Sequence, residues 1–371
     1  MSLLLLSGLL CGVPLLAQQG RISWSEPVRL PLGLAGPLAG VDHGVLLIGG
    51  GCNFPDSMPW AGGKKKYYDG VYVVDLHRRE LIAVDTLSAS TAYGASVTTP
   101  RGVVYIGGEN ESGLSAHVYC LKWEAASRKV RIERLPDLPV ALTNASAALL
   151  GETIYVAGGE TAGGVSDKLY TLDLSDSGWR LAGALPKPLS HAVLIAASRG
   201  LYLIGGRKRN PGGMSELSDG VYSYDPAGRP DPGAASKDIR WTVCQSLPYA
   251  LSAGTGVLYD AHHLLLLGGD RGEVFHQVEK LITAIDRTYD AAERQELLLQ
   301  KARVQSSHPG FSGELLLYDI DKGEWSHFGD LPFPSPATTT AVRWDHYIVL
   351  PGGEVRAGVR TPQIWIGAIN R

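Results

Sequence analysis

The sequence predicts an all-β protein built from six repeats of one strand unit. An apolar, β-rich run that ends in a pair of glycines occurs six times, at residues 45–50, 103–108, 154–159, 201–206, 263–269 and 347–353. The composition agrees, because 46 glycines and 22 prolines favour turns and are excluded from helix interiors. The chain should therefore contain many short strands and little helix.

Two further signals fall between the glycine pairs. Trp24, Trp179, Trp241 and Trp325 are each followed six and seven residues later by Leu-Pro. A second strand that ends in Asp follows several of the glycine pairs, at residues 71–75, 170–173, 221–225 and 315–319. Each unit is thus a strand with Gly-Gly, a loop, a strand ending in Asp, a Trp strand and a Leu-Pro turn.

This combination resembles the Kelch repeat, whose unit of about 50 residues is one four-stranded blade of a β-propeller. The resemblance covers nearly all of residues 21–371 and implies one domain, a six-bladed Kelch-type β-propeller. Residues 21–49 and the residues after Gly352 together supply about one blade. We therefore expect the strand around Trp24 to pair with C-terminal strands and close the ring, which leaves no open sheet edge.

A helical insertion is expected before the last blade. From about 274 to 303 the sequence has no Gly or Pro, and Val278, Leu281, Ile282 and Ile285 recur at helical spacing. Two interpretations stay open: the insertion covers apolar loop surface, or it acts as a lid.

The N-terminus predicts an exported protein. Residues 3–17 form an apolar run followed by Gln18-Gln19, which is typical of a signal peptide over residues 1–17. This predicts a periplasmic or secreted protein that is free of the membrane after cleavage. No Lys or Arg precedes the run, so a mis-assigned start codon or an uncleaved anchor remains an alternative.

Charge and cysteine content exclude several function classes. Against 37 Asp and Glu there are 34 Lys and Arg, and a net charge of −3 offers no general attraction for nucleic acid or anionic lipid. Cys52, Cys120 and Cys244 lie far apart without a CxxC spacing, so we expect free thiols rather than a metal site.

The candidate site residues follow the glycine pairs. In a propeller, the loops on one face surround a central depression, and we take the Gly-Gly strands as the inner strands. The polar residues directly after the pairs are Cys52-Asn53, Glu109, Glu160, Arg207, Asp270 and Glu354. Repeated carboxylates at equivalent places could also cap backbone amides, so position alone does not select a catalyst.

The last of these segments resembles a known family. Residues 352–361 match the Gly-Glu-x-x-x-Gly-x-Arg-Thr segment of the bacterial N-acetylneuraminate epimerases, the Kelch-type sialic acid mutarotases. Asn53-Phe54, residues 62–69, Ala92-Tyr93-Gly94 and the helical insertion are also similar to that family, but in rotated order. The chain thus resembles a cyclically permuted branch of the mutarotases. Residues 355–357 depart from the family's usual small, basic, proline run.

The resemblance implies a role for each matching residue. Glu354 would accept the proton of the anomeric hydroxyl, and Arg360 would hold the substrate carboxylate or polarise developing charge. A structural ion pair between these two residues is the alternative. The substrate-binding candidates are Asn53, Lys66, Tyr67, Tyr93 and Arg207. For residues 64–66, a solvated turn is the competing interpretation.

The function implied is the interconversion of the α and β anomers of a sialic acid, with no metal or organic cofactor. Partners other than the sugar acid are not indicated, and a homodimer stays open. A non-catalytic Kelch module that binds carbohydrate or protein is the main alternative. A sialidase is disfavoured because residues 175–179 offer only a poor fragment of its repeated box, and a copper oxidase because no His cluster exists beyond His262-His263.

Overall fold

The computed structural model describes residues 22–198, 200–228 and 241–370. Six four-stranded antiparallel sheets form the blades of a propeller, which confirms the predicted fold class. In chain order within each blade, the strands are Ala35–Asp42, Val45–Asn53, Gly70–Asp75 and Glu80–Thr86 (blade 1); Ala95–Thr99, Gly102–Ile106, Val118–Glu124 and Lys129–Leu135 (blade 2); Ser146–Leu150, Thr153–Ala157, Lys168–Asp173 and Arg180–Ala184 (blade 3); Val193–Ala197, Gly200–Ile204, Val221–Tyr224 and Trp241–Val243 (blade 4); Thr255–Asp260, His263–Leu267, Glu314–Asp319 and Glu324–Asp330 (blade 5); and Val342–Trp344, Tyr347–Pro351, Gln363–Ile369 and, from the start of the chain, Ile22–Trp24 (blade 6). The predicted signal peptide over residues 1–17 lies outside the described residues.

The N-terminal strand closes the ring, as the sequence predicts. Ile22–Trp24 pairs antiparallel with Gln363–Ile369, and Trp24 lies opposite Gly367. The indole packs over this glycine, where an added Cβ would meet the ring at 2.9 Å. The indole also packs edge-to-face with Phe333, at a centroid distance of 5.1 Å. The outer strand of blade 6 is therefore held by both pairing and packing.

Alternation along the second strand of each blade builds the core. In blade 1, Leu46 and Ile48 face blade 6, whereas Val45 and Leu47 face blade 2. Successive side chains of a strand point to opposite faces, so one strand supplies two interfaces. Six apolar clusters result, one between each pair of neighbouring blades.

The strand order corrects one expectation. The Gly-Gly strands are second in each sheet, not innermost, because a preceding strand lies between them and the axis. These first strands are rich in Ala, Ser, Thr and Gly, and they line a channel of about 390 Å³ along the axis. Small side chains are required where six strands converge, which is why these segments lack a clear apolar signal.

A closed ring of backbone hydrogen bonds lies at one end of this channel. Near the start of each first strand, one residue has a left-handed conformation, with φ between 52° and 61°. Each of these residues donates its N–H to the carbonyl of the equivalent residue in the preceding blade, at 2.8–3.1 Å. The six members of this axial ring are Gly36, Tyr93, Asn144, His191, Ala253 and Thr338.

The connection between the second and third strands of a blade carries the elements at the site. In four blades it is a short hairpin: Glu109–Asn110 with Gly113–Leu114, Glu160–Thr161 with Gly164–Val165, Arg207–Lys208 with Glu216–Leu217, and Glu354–Arg356 with Val359–Arg360. In blade 1 it contains a 3₁₀ turn, Pro59–Ala61, and a short strand, Lys66–Tyr67, that pairs with Cys52–Asn53. Outside these connections, Val28–Arg29 adds to the edge of blade 6.

In blade 5 this connection is the helical insertion, and it precedes the last blade as predicted. It forms two helices, α1 (Glu273–Arg287) and α2 (Ala291–Ser306), rather than one continuous helix. Thr288 is extended, with ψ of 135°, and ends α1. Asp290 caps α2 by accepting a hydrogen bond from the Glu293 N–H at 2.7 Å. The segment has no Gly or Pro at this break, so the sequence did not locate it.

We expect Trp24→Ala to lower the free energy of unfolding by about 3 kcal/mol, because it empties the contact that holds the closing strand. Val243→Ala is the matched control: Val243 also lies on an outer strand but is 77% exposed, so its loss should change little. Denaturant unfolding of both variants measures the difference. Equal free energies for the two variants would contradict closure of the ring by the N-terminal strand.

Candidate active site

Polar residues after the glycine pairs converge on a cavity of about 380 Å³, on the side of the axial ring opposite the channel. Two-way backbone hydrogen bonding fixes them: the Glu354 N–H donates to the Ala337 carbonyl at 2.9 Å, and the Ala337 N–H donates back at 2.7 Å. Equivalent bridges occur in the other blades. The glycine is required here, because a Cβ on Gly353 would lie 2.8 Å from the Ala337 carbonyl oxygen.

Three layers surround this cavity. The floor is the axial ring, the polar wall comes from the residues after the glycine pairs, and the helical insertion adds an apolar wall. The residues that line the cavity include Tyr93, Asn144, His191, Glu109, Arg207, Asp270, Glu354, Lys65, Phe275, Val278, His308 and Phe311. A ligand in this cavity would thus meet carboxylates and cations on one side and aromatic and aliphatic groups on the other.

Glu354 lies at the cavity wall with one oxygen occupied and one available. Its Oε1 accepts a hydrogen bond from the Gly358 N–H at 2.7 Å and lies 3.5 Å from Arg360 Nη1. Within the described residues, Oε2 makes no protein hydrogen bond. The hairpin that joins Glu354 to Arg360 therefore orients the carboxylate and leaves Oε2 for a ligand.

Arg360 lies behind Glu354 and does not line the cavity. Its side chain is only 6% exposed, and its guanidinium carbon packs 4.6 Å from the centroid of the Phe54 ring. Burial lowers the pKa of Arg360, but Glu354 and Tyr93 outweigh this effect and raise that pKa overall. The guanidinium is thus a permanent charge that holds the carboxylate of Glu354.

Tyr93 belongs to the axial ring and forms part of the cavity floor. Its hydroxyl accepts a hydrogen bond from the Cys52 thiol at 3.1 Å. Burial raises the pKa of both groups, so both stay protonated at neutral pH. Together they supply a neutral polar surface next to Arg360.

Two of the substrate-binding candidates, Asn53 and Lys66, do not line the cavity. Lys66 is exposed and lies over Tyr68, 5.3 Å from that ring, whereas the neighbouring Lys65 lines the cavity. Asn53 uses its amide elsewhere: Nδ2 donates to the Gly33 carbonyl at 3.1 Å, and Oδ1 accepts from the Tyr68 hydroxyl at 2.9 Å. Alternation along the chain places Lys66 and Lys65 on opposite faces, and Asn53 lies directly opposite Lys66 in the sheet and shares its face.

Lys65 and Tyr67 meet at Glu109 in the next blade. The Tyr67 hydroxyl donates to Glu109 Oε1 at 2.7 Å, and Lys65 Nζ lies 3.3 Å from the same oxygen. Burial, with Glu109, raises the pKa of Tyr67 far above its usual value. Lys65 also lies over the Tyr93 ring, 4.9 Å from its centroid. Its ammonium is therefore held at the cavity edge on the blade 1 side.

Arg207 lines the cavity in blade 4. Its Nη2 lies 3.4 Å from Glu160 Oε1, and its guanidinium carbon lies 4.9 Å from the centroid of the Phe275 ring in α1. The buried Nε has no hydrogen-bond partner within the described part of the chain. Arg207 thus links the polar wall of the cavity to the helical insertion.

Three residues that line the cavity, His191, His308 and Lys65, were not among the residues predicted from the sequence. A repeated signal could have found the axial ring, and with it His191: Tyr93 precedes Gly107 by 14 residues, and the other ring members stand 14 or 15 residues before their glycine pairs. His308 has no such signal because it belongs to an insertion present in one blade. Among the described residues, no group of three His, Cys, Asp or Glu side chains could hold a metal ion.

His191 should make the stability of the fold depend on pH. Glu160 lies 3.5 Å from its Nδ1 but already balances Arg207, so burial dominates and lowers the pKa of His191 well below its usual value. A histidine with a lowered folded pKa contributes its full stability above its unfolded pKa, about 6.5, and loses it as the pH falls.

We therefore expect His191→Gln to reduce the loss of unfolding free energy below about pH 6.5 by up to about 1.4 kcal/mol per pH unit. Urea unfolding at a series of pH values measures this loss. His327→Gln, at an exposed position of blade 5, is the control and should keep the wild-type pH dependence. If His191→Gln also keeps it, His191 is charged in the folded protein and Glu160 pairs with it.

Comparison with known proteins finds relatives of this chain among the bacterial N-acetylneuraminate epimerases. The chain is 28% identical over 232 residues to the N-acetylneuraminate epimerase of Haemophilus influenzae strain PittEE, which covers 62% of this chain and 57% of the relative. The epimerase of Yersinia enterocolitica serotype O:8 is 27% identical over 262 residues, with coverage of 68% and 62%. The chain thus spans about three fifths of the length of these curated relatives.

The solved structure of YjhT shares the fold. The TM-score is 0.63 at 15% sequence identity, and the match covers 91% of this chain and 95% of the other. A family model described as N-acetylneuraminate epimerase matches residues 135–371, a segment that contains Glu354 and Arg360. Because this match spans well over half of the chain, the protein belongs to the N-acetylneuraminate epimerase family.

Proposed function

We propose that this protein interconverts the α and β anomers of N-acetylneuraminate or a closely related sialic acid. One observation carries the proposal: Glu354 presents an unoccupied carboxylate oxygen to a cavity of about 380 Å³, while Gly358 and Arg360 fix the other oxygen. A carboxylate held in this way is suited to proton transfer with a bound sugar. Its relatives carry the name of this reaction.

The reaction needs little more than one acid/base group. Glu354 removes the proton from the anomeric hydroxyl, and the bond between the anomeric carbon and the ring oxygen breaks. The ring oxygen takes up the proton that Glu354 removed, and the open-chain ketone rotates, so that closure from the other face gives the other anomer. Positioned proton transfer of this kind contributes about 10²–10⁴-fold in rate.

The cations have separate tasks in this mechanism. Arg360 keeps the carboxylate of Glu354 oriented from behind, because its buried guanidinium does not line the cavity. Lys65 and Arg207 do line the cavity and are therefore the groups that attract the carboxylate of the sugar. Tyr93 and Asn144 form the floor beneath the sugar, and Tyr67 acts indirectly by holding Glu109.

We also propose that the protein acts in the periplasm, on sialic acid released outside the cytoplasm. The apolar run at residues 3–17 supports this location. Neither helix in the described part of the chain is long and apolar enough to span a membrane. Self-association stays a prediction.

Glu354→Gln should abolish the catalysed exchange of anomers. The amide keeps the shape of the carboxylate but cannot accept the proton, so the decay of freshly released α anomer should return to the uncatalysed rate. Time-resolved proton NMR after sialidase treatment of a sialoside follows this decay. Glu152→Gln, at an exposed turn, is the control and should match the wild type.

Two outcomes would count against the proposal. A wild-type protein that leaves the decay at its uncatalysed rate would favour a non-catalytic Kelch module that binds carbohydrate or protein. Catalysis that survives in Glu354→Gln would retain the reaction but assign proton transfer to another group.

Lys65→Met and Lys66→Met form a matched pair that tests the orientation of the loop. Loss of Lys65 should raise KM for N-acetylneuraminate about tenfold, because a charge-assisted hydrogen bond to the substrate is lost. Lys66→Met should leave KM within about twofold, since Lys66 is exposed outside the cavity. The initial rate of anomer exchange at several sugar concentrations gives KM, and equal KM values for the two variants would contradict this assignment.

A further inference from the structure

His308 lines the cavity, and the proposed mechanism gives it no role. It lies just after α2, where the insertion returns to blade 5, and only 8% of the residue is exposed. The imidazole lines the same cavity as Glu354 and packs against Phe311 at a centroid distance of 5.0 Å. A buried polar ring at a cavity wall calls for a hydrogen-bond partner.

The backbone fixes which nitrogen of His308 carries the proton. The Gly310 N–H donates to Nδ1 at 3.0 Å, so Nδ1 must be an acceptor with a free lone pair. The ring is therefore neutral with its proton on Nε2. Burial favours the same state by lowering the pKa of His308, against the opposing effect of Asp270 and Glu354. Within the described residues, Nε2 makes no protein hydrogen bond.

The loop that carries His308 packs on the hairpin of Glu354. A Cβ added to Gly310 would lie 3.4 Å from the carbonyl oxygen of Val355, the residue after Glu354. The negative charge of Glu354 also acts on the imidazole. An N–H donor and a carboxylate oxygen therefore face one region of the cavity from adjacent segments.

We propose that His308 is a second catalytic residue, whose Nε2–H donates a hydrogen bond to the ring oxygen of the sugar as the ring opens. The proposal rests on the proposed mutarotase function and adds the group that acts on the leaving oxygen. A neutral imidazole can serve as such an electrophile without giving up its proton. Donors placed where negative charge develops are among the largest contributions to enzymatic rates.

The step balances with a single proton. Glu354 takes the proton of the anomeric hydroxyl, whose oxygen becomes the carbonyl oxygen, and the electron pair of the breaking carbon–oxygen bond goes to the ring oxygen. The hydrogen bond from His308 stabilises the developing alkoxide, and Glu354 then delivers the same proton to that oxygen. Both oxygens are bonded to one carbon, so one carboxyl group can reach both. His308 begins and ends the step as neutral imidazole.

Other groups of the cavity are less suited to this task. Asp270 is an acceptor whose Oδ1 already takes the Gly272 N–H at 2.8 Å. Arg207 lies two blades away from Glu354 and is held by Glu160. Asn144 belongs to blade 3, on the far side of the ring from Glu354 in blade 6. His308 is the donor that lies next to the hairpin of Glu354.

The test compares His308→Ala with His308→Gln in anomer-exchange kinetics on N-acetylneuraminate. Alanine removes the donor, and we expect kcat to fall about 10²-fold or more, with a much smaller change in KM. Glutamine can place an N–H near the position of Nε2, so it should recover kcat to within about tenfold of the wild type. His327→Ala, at an exposed position of the same blade, should match the wild type.

A structural role for His308 gives a different result. It would lower the melting temperature and raise KM without recovery by Gln, and a His308→Ala variant with wild-type kcat would overturn the proposal while the mutarotase function stands. A wild type without mutarotase activity would overturn both. Two-bond ¹H–¹⁵N spectra of the wild type give a readout independent of activity: the proton of His308 should reside on Nε2 at neutral pH, and finding it on Nδ1 would overturn the proposal even if no alanine variant folds.

Discussion

The structure depends on the axial ring of six backbone hydrogen bonds. Each blade contributes one left-handed residue, and five of the six are not glycine, so each of those five positions costs about 1–2 kcal/mol of backbone strain. The hydrogen bonds at 2.8–3.1 Å compensate only when the ring is complete, because each residue depends on the preceding blade. The bond from the Gly36 N–H to the Thr338 carbonyl closes this ring between blades 1 and 6, and the N-terminal strand completes blade 6 at its outer edge. Gly36 shows how closely the ring is packed, since a Cβ there would meet the Tyr93 ring at 2.4 Å.

The ring also explains why the chemistry is confined to one face. Tyr93, Asn144, His191, Ala253 and Thr338 line both the axial channel and the cavity, so the ring is the boundary between them. The described lining of the channel contains no carboxylate, whereas Glu109, Asp270 and Glu354 all face the cavity. Each of these carboxylates is fixed by a backbone bridge to the residue directly before a ring member. The ring thus separates a cavity with three carboxylates from a channel whose described lining has none.

The repeats made the fold predictable, and the insertions made the site less so. The glycine pairs and the Trp strands predict the number of blades, because each pattern occurs several times. The complementary ends of the chain predict how the ring closes. The first strand of each blade was not predicted, because its small side chains, such as Ala39 and Ser96, show no apolar periodicity. Glu354 and Arg360 were found through one motif, and their separation into a carboxylate at the wall and a guanidinium behind it depends on side-chain packing around Phe54. The sequence indicated Lys66 rather than Lys65 as the residue in the cavity. Which of the two faces the cavity depends on the pairing of this loop with Cys52–Asn53, and the sequence alone does not give that pairing.

The central claim is that a sialic acid binds above the axial ring with its anomeric carbon at Glu354. A crystal structure of the Glu354→Gln variant soaked with N-acetylneuraminate tests this claim most directly. The account predicts the sugar in the cavity of about 380 Å³, with its anomeric hydroxyl about 3 Å from the side chain of residue 354 and its ring oxygen facing His308. A sugar bound in the axial channel, or in the cavity with its anomeric hydroxyl out of hydrogen-bond reach of residue 354, would contradict it.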